Sequence, residues 1–365
     1  MLHRRLNISC AVLGLLCAVL LMNGTPASTQ AQDDQPVEQT RKNIQVLKGL
    51  PESQLFMLMN FVSDSLDVKC DYCHVKNGKN AQGGDNWLWD RDDKPAKLAG
   101  RRMMKMVLDI NQANFNGETR VTCYSCHRGR TDVARLPPLP PHEAVHNDAP
   151  LPAAEEIITK YLNAVGGKDA AAKTMVLKGT VERSEGRNAQ FEITLKDNDK
   201  YLISLTSPQG VAMQAVNGET GWQKSSAGSK KLTGPVVDQV RRVAGYFAVI
   251  KVTGDVARMR VTGTEKIGNR ETYVVAHVVD PETTIRYYFD TQTGLLLREL
   301  ITKQTLLAPL PEQVDFEDYR DVNGVKLPFV IRTSDSAPYD NATRKFTDIK
   351  LNVTVDDSIF NFPSN

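Results

Sequence analysis

The sequence predicts a multidomain chain: a mainly helical N-terminal part, then a mainly antiparallel β part, half-barrel or sandwich-like, with one or two helices. Three observations predict it. Apolar residues recur at helical intervals between Leu55 and Ile110. Prolines then break the chain from Leu136-Pro-Pro-Leu-Pro-Pro141 to Pro150 and Pro152. Beyond that break, short runs alternate apolar with polar residues, and turn pairs such as Asn217-Gly218 and Asn323-Gly324 separate them.

The chain of 365 residues is long enough for two ordinary domains, and its composition is that of a soluble globular protein. The N-terminus departs from this. Arg4 and Arg5 precede an apolar run from Ile8 to Met22, and small residues follow as far as Ala31. This is the form of a secretory signal peptide over residues 1–31, cleaved after Ala27 or Ala31. The run is shorter than the roughly 18–20 residues that a membrane span wants. A periplasmic location is therefore expected, with membrane anchoring if the segment is retained. Losing it removes Arg4 and Arg5 and leaves basic and acidic side chains equal in number. Such a neutral chain has no broad electrostatic footprint for nucleic acid.

The helical part, residues 32–135, is organised by a repeated pattern. Pro51-Glu52 opens an amphipathic helix carrying Leu55, Met59, Val62 and Leu66, which ends near Asp67. Cys70-Asp-Tyr-Cys73-His74 follows. A second helix, Ala96 to Asn114, carries Leu98, Met103, Met106 and Ile110, and Asn116-Gly117 closes it. Cys123-Tyr-Ser-Cys126-His127 comes next. Cys-x-x-Cys-His is the attachment signature of c-type haem. Two thiols bond one haem at its vinyl groups, and the adjacent His reaches the iron. Two covalently bound haems c are thus expected, on Cys70 and Cys73 and on Cys123 and Cys126, with His74 and His127 as axial ligands. A four-cysteine zinc site would bring its pairs within about 15–20 residues of each other, and a thioredoxin-like pair would sit in a βαβ unit. Neither pattern is present. Cys10 and Cys17 lie in the N-terminal segment, so the motifs use every other cysteine.

Each iron wants a second axial ligand, and thioether sulfur suits it. After His127 no methionine occurs until Met175, beyond the proline break. The helix upstream of each motif is therefore the source: Met57 or Met59 for the first haem, and Met103, Met104 or Met106 for the second. Trp87 and Trp89 are expected to pack on a haem face or fill the core. Arg120, Arg128, Arg130 and Arg135 gather around the second motif, where they could pair with haem propionates or dock an acidic redox partner. His142 and His146 fall among prolines and read as solvated.

The segments Asn43-Ile-Gln-Val-Leu-Lys-Gly-Leu-Pro51, Val68-Lys-Cys70-Asp-Tyr-Cys73-His74, Arg101-Arg102-Met103-Met104-Lys-Met106 and Val121-Thr-Cys123-Tyr-Ser-Cys126-His127-Arg-Gly129 resemble the cytochrome c subunit of photosynthetic reaction centres. The resemblance covers residues 43–130. It implies that each haem lies along a helix whose Met binds the iron opposite the motif His. By position it implies Met59 for the first haem and Met103 for the second, with Met57 and Met106 as alternatives. That family typically carries four haems, whereas this chain has motifs for two. It also lacks the histidine that some members place between the second-helix Met and its motif. The resemblance therefore implies a two-haem relay, and docking to a photosynthetic complex is not implied.

Residues 136–152 form a proline-rich linker that favours extended geometry. In the β part, residues 153–365, a helix is expected over Ala153–Val165 and another over Pro235–Val249. Strands are expected at Thr174–Glu182, Gln190–Lys196, Tyr201–Thr206, Val211–Val216, Gly221–Lys224, Arg258–Lys266, Glu271–Val279, Ile285–Asp290, Leu295–Thr302, Val314–Tyr319, Lys326–Arg332 and Lys345–Val355. Glu317-Asp-Tyr-Arg-Asp-Val-Asn-Gly-Val-Lys-Leu-Pro-Phe329 and Val355-Asp-Asp-Ser-Ile-Phe360 resemble exported proteins of the lipoprotein-carrier type. That resemblance implies an open β half-barrel and an apolar ligand within it. His277 is the one histidine of this part, it alternates with strand residues, and no catalytic constellation surrounds it.

The expected function is an exported two-haem electron carrier rather than an enzyme. Its β part would serve as scaffold or docking surface, and its partners would be redox proteins, membrane-bound ones among them. The alternative is a carrier-type protein for an apolar ligand with a redox-sensing haem module. A two-haem peroxidase would need one iron left open, and methionines upstream of both motifs count against it.

Overall fold

The structure, a computed structural model, describes residues 34–79, 84–133, 150–166, 172–183, 186, 188–197, 199–226, 228–232, 237, 256–336 and 341–363. The expected signal peptide, most of the proline-rich linker with His142 and His146, Arg135, and nearly all of the helix expected at Pro235–Val249 lie outside the described residues. Residues 34–365 form one compact unit.

The helical part begins with a short turn, α1 (Val37–Thr40), and then α2 (Glu52–Leu66). Pro51 sits at the N-cap of α2, and Asp67 ends it in the left-handed conformation. The first motif forms its own turn, α3 (Cys70–Cys73). A small hairpin of β1 (Val75–Lys79) and β2 (Asp85–Leu88) follows. Sequence pattern does not predict it, because Val75-Lys-Asn-Gly-Lys79 lacks apolar alternation. Next come α4 (Pro95–Phe115) and the second motif turn, α5 (Cys123–His127).

After residue 150 the chain forms α6 (Ala154–Ala164) and a single sheet of thirteen antiparallel strands. The first group is β3 (Thr174–Arg183), β4 (Ala189–Lys196), β5 (Lys200–Ser207), β6 (Gly210–Asn217), β7 (Thr220–Ser225) and β8 (Gly228–Leu232). The second is β9 (Met259–Ile267), β10 (Arg270–Val278), β11 (Thr283–Asp290), β12 (Leu296–Gln304), β13 (Pro309–Val322), β14 (Val325–Asp335) and β15 (Ala342–Leu351). Each group is a meander of neighbouring hairpins. The pairing of β15 with β3, for example Arg344 with Val181, joins the two into one layer. The sheet runs from β8 at one edge to β9 at the other and is not closed. It is therefore open rather than a sandwich of two packed sheets. Asn217-Gly218 and Asn323-Gly324 fall in the turns expected of them, and Gly268-Asn269 and Thr293-Gly294 lie at turns between strands as well. Strand β8 was missed, since Gly228-Ser-Lys-Lys-Leu232 reads as polar.

One face of the sheet packs on α6. Ile157, Ile158, Tyr161, Leu162 and Val165 meet Ile193, Phe289, Leu296, Val314 and Ile331 in one buried cluster. Past the helix, Gly166 adopts a positive φ of 118°. A Cβ there would strike the Gly324 carbonyl, so the close approach of helix to hairpin requires glycine.

The same face carries a carboxyl with an unusual environment. Glu299 on β12 pairs across to Tyr287 and Val314. Although the residue is partly accessible, its carboxyl is desolvated, which pushes its pKa up to about 7. A carboxyl whose pKa is raised on folding favours the folded state at low pH, and that contribution is lost as pH climbs from about 4.5 to about 7. The loss amounts to roughly 3 kcal/mol. Urea unfolding of Glu299→Gln should therefore show a flatter dependence between pH 5 and pH 8 and greater stability than the parent at pH 8. Equal slopes for the two proteins would show that the carboxyl is solvated.

Candidate haem sites

Both motifs form a single helical turn, which brings their two thiols to neighbouring positions, i and i+3. The four motif cysteines are free thiols. Burial raises the pKa of Cys73 and Cys123, the usual effect of desolvating a group that is charged when ionised. Each turn is braced by the other module's helix: α3 packs on α4, while α5 packs on α2 and α4. The Gly129 N–H donates to Ser65 O at 3.0 Å, fixing the exit of the second motif to the end of α2.

The second motif is held by a residue that the sequence reading did not single out. Asn111 on α4 is 3% exposed. Its Nδ2 donates to Val121 O at 2.8 Å, and its Oδ1 accepts from the N–H groups of Arg120 (3.1 Å) and Val121 (2.9 Å). The chain entering Cys123 is thereby clipped to α4. Thr122 then caps α5 in a reciprocal box with Ser125. A buried asparagine on an otherwise apolar helical stripe was the available signal, and helix periodicity alone does not reveal its partner.

The two motif histidines differ in surroundings. His127 Nδ1 lies 3.0 Å from Arg130 O, which leaves Nε2 as the free ring nitrogen. His74 is more deeply placed, and its ring meets Trp89 edge-on at 5.0 Å. Burial lowers its pKa, with Lys97 and other cations adding to the effect and a hydrogen bond to the Trp89 backbone opposing it; the net shift favours the neutral imidazole, the form that binds metal. Its Nδ1 is buried without a hydrogen-bond partner. Trp89 stacks on Trp87 at 4.6 Å and meets Phe56 edge-on at 5.9 Å. The tryptophans thus form an aromatic wall beside the first motif.

The methionines sort by burial. Met59 and Met104 are half-buried and pack against the cluster of Val37, Leu47, Leu50, Leu58 and Val107. Met57, Met103 and Met106 are 42%, 43% and 42% exposed and turn away from that cluster. Phe56, Tyr72, Leu98, Phe115 and Tyr124 are likewise exposed, so the helices and motif turns leave several large apolar side chains uncovered. Donor chemistry and apolar surroundings both fit haem c: paired thiols with an adjacent imidazole on each turn, and outward thioethers on the neighbouring helices.

Several quoted sequence signatures acquire structural reasons. Asn43 has a positive φ of 60° and donates to Asp90 O at 2.6 Å. Arg101 bridges Asp92 (2.7 Å) and Asn43 O (3.0 Å). The paired Arg101 guanidinium, with other hydrogen bonds, holds the Asp92 carboxyl far below the usual range. Arg101 is thus a clamp between the chain before α2 and the start of α4, while Arg102 is exposed. Arg120 pairs with Glu118, and Arg128 and Arg130 are solvent-facing.

Residues 19–137 match a family model described as the photosynthetic reaction centre cytochrome C subunit. The N-terminal part of the chain resembles that family. A photosynthetic reaction center cytochrome c subunit from Thermochromatium tepidum is 36% identical over 92 residues, covering 24% of this chain and 20% of that protein. Cytochrome c-554 from Chloroflexus aurantiacus is 34% identical over 92 residues, covering 23% and 20%. The chain thus spans about a fifth of the length of these relatives, and the likeness is confined to the cytochrome-like segment. Over the sheet, a LolA superfamily protein from Nitrosomonas europaea aligns with TM-score 0.40 and 15% identity, covering 58% of this chain and 98% of that one.

Proposed function

We propose that the protein is an exported two-haem c-type cytochrome that passes electrons between redox proteins, with the sheet as its scaffold or docking surface. The observation that carries this reading is the duplication of one arrangement: a Cys-x-x-Cys-His turn beside a helix whose methionine faces outward. Cys70 and Cys73 would hold one haem and Cys123 and Cys126 the other, with His74 and His127 on the irons. Bound haem would supply a metal that changes oxidation state without a proton. What the chain itself supplies is orientation, apolar cover and axial donors. Residue by residue, Met103 remains the donor for the second haem, with Met106 one turn away. On α2 the burial pattern favours Met57, because Met59 would have to leave the inner cluster to reach a haem. The Trp87–Trp89 stack shields the first site on one side, and the exposed Arg128 and Arg130 offer cations to propionates or to an acidic partner.

The test is protein matured in a cell equipped for c-type cytochromes. A pyridine haemochrome assay should give two haems for the parent and one for each of Cys70→Ser/Cys73→Ser and Cys123→Ser/Cys126→Ser. Colourless parent protein, or a count unaffected by either pair, would overturn the reading.

The carrier alternative has one supporting observation. Leu195, Leu205, Val261, Ile285 and Ile301 remain partly exposed on the sheet face that holds the core, which is the kind of surface an apolar ligand covers. Organic extraction of the purified protein followed by mass analysis would find such a ligand. Its absence leaves the scaffold role.

A further inference from the structure

The connection between β12 and β13 does not pack on its own sheet. Leu307 and Ala308 are wholly buried and Leu310 nearly so. Their neighbours are Val37, Leu47, Leu50, Leu58 of α2 and Val107 of α4. The tip is internally braced. Thr305 Oγ1 donates to Ala308 O at 2.6 Å and accepts from the N–H groups of Leu307 (3.3 Å) and Ala308 (3.1 Å). It is also tied to the chain that leads into the second motif, where Thr119 Oγ1 donates to Thr305 O at 3.0 Å.

Two helices that offer their outer faces to haem still need something to fill the space behind them. Here the filling comes from Leu307 and Ala308, far downstream of both helices. Leu58 and Val107 face the tip, and their helical neighbours Met57 and Met103 turn outward. Close-packed interiors transmit small displacements instead of absorbing them, so the volume of the tip fixes the spacing and rotation of both helices at once.

We infer that the Thr305–Leu310 hairpin tip is a spacer, with Leu307 and Ala308 as positioning residues that set how far the methionines of α2 and α4 reach toward the two irons. The inference rests on the two-haem reading. It also gives the sheet a role in tuning the cytochrome, because the tip joins two of its strands, β12 and β13.

The test uses the mature full-length protein and added imidazole, which competes with methionine for ferric iron. Leu307→Ala should bind imidazole about tenfold more tightly than the parent, or ~1.4 kcal/mol. The Met-to-iron band should weaken at both haems together while the haem count stays at two. Leu307→Val, a smaller change, should move in the same direction if the alanine variant does not fold. Ile193→Ala, in the sheet's own core, should lower stability and leave imidazole binding as in the parent. A parent protein without a Met-to-iron band defeats the axial reading itself. A parent with the band, whose Leu307 variants bind imidazole no more tightly, overturns the spacer while leaving the two-haem reading intact.

Discussion

Met57→Ala should abolish the weak Met-to-iron charge-transfer band of one haem and lower that haem's midpoint potential by on the order of one to a few tenths of a volt, within the ~0.8 V range that axial ligation spans. The reason is chemical. A neutral, soft thioether favours the reduced iron, and replacing it by water or an adventitious histidine removes that preference. Met103→Ala should do the same for the other haem. Met59→Ala makes the contrast. Its side chain packs against the cluster that contains Leu58 and Val107, so its loss should cost about 2 kcal/mol in stability and leave both bands in place. Redox titration followed in the visible spectrum, with guanidinium unfolding alongside, separates the two effects. If Met59→Ala removes a band and Met57→Ala does not, helix α2 is rotated relative to the haem in a way its burial pattern does not reveal.

Asn111→Leu should be the most damaging substitution that touches neither a thiol nor an iron ligand. The side chain closes three hydrogen bonds to the backbone of Arg120 and Val121. Leucine preserves bulk but leaves two N–H groups and a carbonyl without that partner, at about 3 kcal/mol or more in total. Because these groups lead directly into Cys123, the second haem should lose its methionine band and the first should keep it. Unfolding monitored at the haem absorption, together with separate potentials for the two haems, would check this. A loss below about 1 kcal/mol would mean that water replaces the asparagine at no great cost.

Much of the site was legible because it is local. Cys-x-x-Cys-His is written in five consecutive residues, and each copy folds into a single turn, α3 and α5. The strands were legible for a similar reason: alternation and turn pairs act between neighbours, so hairpins such as β13–β14 at Asn323-Gly324 follow from their own residues. Polar strands escaped notice. Val75–Lys79 and Gly228–Leu232 owe their extended form to the partner strand and show no alternation of their own. Which of Met57 and Met59 is the more exposed was equally beyond the sequence. Both lie on one helix within a turn of each other, and only the position of Leu47, Leu50 and Leu307 behind that helix makes one inward and the other outward.

By itself the sequence placed the two Cys-x-x-Cys-His motifs, the methionine-bearing helices before them, and a run of antiparallel hairpins, since each depends on residues a few positions apart. Tertiary structure alone decided three other things. The two meanders merge through β15 and β3 into one open layer, Asn111 reaches forward to hold the second motif, and the β12–β13 tip fills the space behind the methionine helices. All three are contacts between distant parts of the chain. Their side chains, a stripe of leucines or a lone asparagine, would look the same whatever they finally packed against.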